Sequence, residues 1–163
     1  MSMTKDPAPF LVPGPLPFVA LPVTLERVTP EQYSQLDPLA RARWITYVGP
    51  QSAEEEELIA GEQHHFVRAE AAGSVTSPAL LQRLYDDEPD PGVRVVIATN
   101  RHAPLALIGS VPVYRQTGAS LVAYLDGRGF EGDERELIGE ALNAHSKDGR
   151  PLEVFVAAVL AGP

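Results

Sequence analysis

Residues 89–125, PDPGVRVVIATNRHAPLALIGSVPVYRQTGASLVAYL, decide the fold class. Val93–Ala98 (VRVVIA) is a short apolar run between two breakers, the segment DDEPDPG (Asp86–Gly92) and the turn TNRHAP (Thr99–Pro104). It reads as a central strand. Leu105–Tyr114 (LALIGSVPVY) reads as a second strand, bulged near Gly109 and edge-like at Pro112. After a turn at Gln116–Gly118, Ala119–Leu125 (ASLVAYL) reads as a third. The three together predict an antiparallel meander.

C-terminal to the meander lies the glycine-rich turn DGRGFEG (Asp126–Gly132). A helix follows from about Asp133 to Ser146, with Leu137, Ile138, Ala141 and Leu142 on one face. Asp133 and Glu136 have the spacing of a capping pair, and Lys147-Asp148-Gly149 stops the helix. Leu152–Leu160 (LEVFVAAVL) reads as a further strand, completing a β-loop-α-β unit.

The N-terminal half reads as helical cover after one strand, Val23–Val28 (VTLERV). Thr29-Pro30-Glu31-Gln32 is a helix start with a cap, a proline at the first helical position and a capping-box residue. Asp37 before Pro38 caps a second short helix. Ser52-x-x-Glu55 opens another, its acids Glu54–Glu57 meeting the positive end of the dipole, with Leu58, Ile59, Phe66 and Ala69 as its buried stripe. Ser77-Pro78 starts one more, through Leu80, Leu81, Leu84 and Tyr85. Residues 1–22 form a proline-rich arm holding six of the sixteen prolines, and residues 23–163 form one α/β domain. No internal repeat stands out.

Composition bounds the function. A chain of 163 residues that is 44% hydrophobic and 21% charged supports a core without a metal or disulfide staple. It has no cysteine, which excludes thiol nucleophiles, zinc ribbons and iron–sulfur ligation and suits a cytoplasmic protein. No cationic start precedes an apolar run, and no stretch approaches a membrane span. The net charge of -9 argues against nucleic acid and anionic membrane as partners.

The DGRGFEGD turn is the place where chemistry is best supported. Its glycines allow close backbone approach, and the helix behind it points free N–H groups outward. Arg128 adds a cation, while Asp126, Glu131, Asp133, Glu134 and Glu136 crowd the turn with negative charge. It serves either an anionic ligand or only a solvated connection. His64-His65 is a poor chelate because adjacent helical side chains diverge, and HExxH is absent, so no metal is expected. Ser120 and Ser146 lack a base defined by sequence.

The order of elements resembles the acetyl-CoA-dependent N-acetyltransferase (GNAT) superfamily over about residues 23–160. The first strand would be VTLERV, the meander VRVVIA, LALIGSVPVY and ASLVAYL, and the last strand LEVFVAAVL. The resemblance implies a mixed sheet and an acyltransferase that moves an acetyl group from acetyl-CoA to a small-molecule amine. The cofactor would lie against Leu125, Arg128, Gly129, Glu131, Gly132 and Asp133. Glu131 and Asp133 stand where that family's loop has glycine or alanine, and the usual closing helix and strands do not follow. Glu70, His102 and Tyr124 are the available acid–base groups. The alternative is a non-catalytic binding or oligomerisation domain, such as a homodimer.

Overall fold

A computed structural model describes residues 27–162. These residues form ten α-helices and one 3₁₀ turn, and no strand occurs among them. Among the described residues the only β-type pairing is an isolated antiparallel bridge between Pro112 and Pro151. The mixed sheet, the α/β class and the GNAT resemblance are therefore overturned, and the acyltransferase reading loses the fold it rested on. The arm over residues 1–22 and most of VTLERV lie outside the described residues, while Arg27 and Val28 carry no regular structure.

The helices are α1 (Pro30–Gln35), α2 (Pro38–Tyr47), α3 (Ala53–Ala60), α4 (His65–Ser74), α5 (Pro78–Asp87), α6 (Pro91–Ala98), α7 (Leu105–Ser110), α8 (Gly118–Arg128), α9 (Gly132–Ala144) and α10 (Leu152–Ala161). Local chemistry starts many of them. Thr29 and Gln32 complete a reciprocal capping box at α1. Asp37, Ser52 and Ser77 each accept an N–H of the first turn behind them. The expected helix across Ser52–Ala69 breaks in two at Gly61–His64.

Each sequence-predicted strand of the second half is a helix. VRVVIA is α6, because Asp90 accepts from Gly92 and Val93 N–H and Pro91 occupies the first helical position. LALIGSVPVY is α7 plus the 3₁₀ turn Val113–Arg115. ASLVAYL lies within α8, started by a capping box between Thr117 and Ser120. LEVFVAAVL is α10. The Asp133–Glu136 cap is not formed either: Glu131 is the cap residue of α9 and makes no side-chain bond there.

The helices stack by sequence neighbourhood. α4 packs between α2 and α6, α3 packs on α4 and α5, and α5 packs on α6. α6 then meets α7, which packs on α8 and α10, and α10 packs on α9. A repeat underlies part of this order. Val67, Arg68, Ala72, Pro78 and Leu81 recur 26 positions later as Val93, Arg94, Ala98, Pro104 and Leu107. Val67, Ala72 and Leu81 are buried in the first unit, and Val93, Ala98 and Leu107 in the second. The α4–α5 and α6–α7 segments thus echo one another in sequence, and α2, α4 and α6 pack in succession as helices of an α-solenoid do.

Polar side chains tie successive turns together. Glu56 on α3 accepts from the Thr76 N–H at 2.9 Å, the Thr76 hydroxyl at 2.6 Å and the Ser77 N–H at 3.2 Å. Asn100, after α6, donates to the Ala72 and Val75 carbonyls at 2.8 and 2.9 Å. Arg68 reaches Glu88 through Nε and Nη2, a two-pronged contact on a buried carboxylate. Burial opposes the charge on Glu88, but the Arg68 guanidinium and the Asp90 N–H outweigh it and hold its carboxyl below the ordinary carboxylate range. A depressed native value gives stability that is full above the unfolded value, about 4.3, and fades as pH falls through the native one. The urea midpoint of the unchanged chain is therefore expected to drop between about pH 5 and pH 3. Glu88→Gln should flatten that drop while lowering the midpoint at neutral pH. An equal drop in Glu88→Gln would remove Glu88 from the acid response.

Candidate functional site

The expected cofactor turn is a helix stop. α8 runs to Arg128, and Gly129 takes the left-handed conformation (φ +73°). Its N–H donates to the Asp126 carbonyl at 3.0 Å, and the Phe130 N–H donates to the Leu125 carbonyl at 3.1 Å. This is a Schellman closure, which consumes two of the N–H groups expected to face an anion. Leu125 is buried. Arg128 lies over the Tyr124 ring, 5.3 Å from its centroid. Glu131, Gly132 and Asp133 are exposed at the start of α9, and Arg135 pairs with Asp126.

The other singled-out residues are dispersed. Glu70 accepts from the Thr46 hydroxyl at 3.0 Å, joining α4 to α2. His102 sits in the α6–α7 turn beside Arg101. Tyr124 is buried against Gly109, where a Cβ on the glycine would come within 3.0 Å of the ring. Gly109 thus lets α7 approach α8 and α10 closely. Ser120 is fully buried, and its hydroxyl bonds to Gln116 and Thr117 as part of the α8 start. Ser146 is exposed beyond α9. His64 and His65 stack on each other with centroids 5.1 Å apart. Among the described residues no three His, Asp or Glu side chains gather as a metal site. No described helix is long and apolar enough to cross a membrane.

Two polar assemblies went unnoticed at the level of sequence. Tyr33 donates to Glu62 at 2.7 Å, and Arg41 lies 2.9 Å from the same carboxylate oxygen. Burial first, then the hydrogen bond to Glu62 and that carboxylate's charge, raises the Tyr33 phenol. The second is a cleft of about 430 Å³ between α3, α4 and α5, where Glu57 pairs with Arg83 and Glu88 with Arg68. Its charges largely answer one another, so it offers little unmet demand for a ligand. The signal that could have found these pairs is the recurrence of an arginine on the first helix of a unit and a glutamate 20 or 21 positions on, Arg41 to Glu62 and Arg68 to Glu88.

One surface does have unmet demand. α10 (LEVFVAAVLA) carries a single charge, Glu153, in ten residues. Leu152, Phe155 and Val156 are buried, but Val154 is 48% exposed and Leu160 38% exposed. Ala157, Ala158 and Ala161 are also exposed. A helix apolar over its whole circumference is normally covered on every side. Here Val154, Ala157 and Leu160 line a groove of about 430 Å³, with Tyr124 and Phe130 on its far wall and Arg128 and Glu153 as its charged groups.

Comparison of the chain with protein-family models, curated proteins and solved structures finds no match.

Proposed function

We propose that this chain is a non-catalytic helical-repeat module that assembles with a second copy of itself through α10. The observation that carries this reading is the half-covered apolar helix. Val154, Ala157 and Leu160 form a surface that water solvates poorly, and a second α10 supplies the same chemistry in return. The exposed alanines allow the two helices to approach closely.

The helix is about 15 Å long, so its outer face is smaller than the roughly 800 Å² per partner of a standard interface. Association is therefore expected in the micromolar range. Sedimentation of the full chain should show a reversible monomer–dimer equilibrium. Leu160→Asp and Val154→Asp should each yield monomer, with an unchanged helical circular-dichroism spectrum. A chain that stays monomeric at high micromolar concentration overturns the reading, as do aspartate variants that dimerise as before.

A further inference from the structure

The α10 groove carries two opposite charges that nothing else among the described residues answers. Arg128 ends α8, Glu153 stands in the first turn of α10, and both line the groove. Arg27, Arg41, Arg68, Arg83, Arg135 and Arg150 each lie within ion-pairing distance of a carboxylate. Arg128 does not, although the chain holds 22 acidic residues against 13 basic ones. Asp126, the nearest acid in sequence, is taken by Arg135. Glu153 likewise has no cation among the described residues. Its carboxylate rests against α7, 3.4 Å from where a Cβ on Gly109 would sit.

Both side chains are exposed, so each charge is solvated in a single chain. Closing the groove changes that. A second apolar helix displaces water from Val154, Ala157 and Leu160, and a charge left unpaired beside that contact becomes costly. Arg128 is held ready for a partner. Its guanidinium lies over the ring of buried Tyr124, 5.3 Å from the centroid, which keeps it on the groove wall.

A two-fold axis makes every contact occur twice, residue i on j and j on i. A groove with one cation and one anion is complementary to its own copy, whereas two like charges would repel theirs. We infer, on the reading that two copies meet through α10, that Arg128 of each copy pairs with the partner's Glu153. The two symmetry-related ion pairs then set the register in which the apolar helices meet.

The test uses the full chain in unchanged form and as Arg128→Glu and Glu153→Arg. A dimer of the first variant brings only carboxylates to the groove, and a dimer of the second only guanidinium groups. Each alone is expected to dimerise at least about tenfold more weakly by sedimentation. Mixed together, the two variants restore both pairs, so native mass spectrometry should show the mixed dimer in about tenfold or greater excess over either like dimer. An Arg128–Glu153 pair within one chain cannot produce this preference, because neither variant can form one. Arg128→Gln supplies a milder probe should a charge reversal impair folding, which circular dichroism checks. The Kd of the unchanged chain should rise with salt, and that of Arg128→Gln should not. A statistical mixture of dimers, or an Arg128→Gln dimer as salt-sensitive as the unchanged one, overturns the pairing and leaves dimerisation through α10 standing. An unchanged chain that stays monomeric overturns both.

Discussion

Replacing Phe155 with alanine is expected to lower stability by about 3–5 kcal/mol. The ring is 1% exposed, on the face of α10 that the rest of the molecule covers. α10 packs on both α7 and α9, so the lost ring leaves a cavity where neighbouring helices meet rather than a gap at an edge. His145 meets the ring edgewise at 6.2 Å, and the Arg150 guanidinium lies 5.2 Å from its centroid. Both contacts disappear with it. Urea unfolding followed by circular dichroism measures the change, which amounts to a fall in melting temperature of roughly 10 °C for a chain of this size. The loss should be uneven along the stack. Amide exchange ought to rise more in α7, α9 and α10 than in α2 and α4, which Phe155 does not touch. A loss below 1 kcal/mol would mean that the C-terminal helices do not pack as described.

Asn100→Ala is expected to cost about 3 kcal/mol, a large effect for a side chain of four heavy atoms. The amide donates to the Ala72 and Val75 carbonyls and accepts the His102 N–H at 2.8 Å. Asn100 is buried, so alanine leaves these groups without a partner and largely out of reach of water. Asn100→Asp should cost at least as much. Its carboxylate keeps the acceptor for His102 but turns negative oxygens toward two carbonyls. The two variants are compared by urea midpoint at neutral pH, and the aspartate variant should recover in part on acidification as its carboxyl regains a proton. An aspartate variant as stable as the unchanged chain would remove the amide's donor role.

Helix starts were far more legible than helix interiors. Thr29-Pro30, Asp37-Pro38 and Ser77-Pro78 announce α1, α2 and α5 through a side-chain cap followed by a proline that needs no N–H. Asp90-Pro91 is the same signal at α6, but it sits among turn formers and precedes VRVVIA, four of whose six residues are β-branched. Such a run favours a strand in isolation. In the molecule α4, α5 and α7 surround α6, burying Val93, Ile97 and Ala98 and half-burying Val95 and Val96. Tertiary burial overrides propensity there, and a helix whose one charge is Arg94 lacks the polar stripe that would reveal its period. α10 misleads in the same way, with Glu153 as its one charge. The 26-residue echo is hidden because one copy reads as helix and the other as strand.

The candidate surface was less legible than the fold. Arg128, Gly129 and Glu131 do lie at a turn before a helix, as their spacing implies, yet the preceding element is a helix whose stop uses the turn's own N–H groups. Exposure along α10 depends on where α7 and α9 sit, and no local pattern in LEVFVAAVL carries that information.

The recurrence of Val67–Leu81 at Val93–Leu107 also bears on how such a chain changes length. α4 packs between α2 and α6, so the echoed segments follow one another along the stack. Gaining or losing 26 residues at this seam would add or remove one rung without requiring a new kind of joint. The span between the two ends would change by about one helix diameter, roughly 10 Å, at each step. The distance between α2 and the α10 groove is in that sense a counted quantity, set by the number of rungs between them.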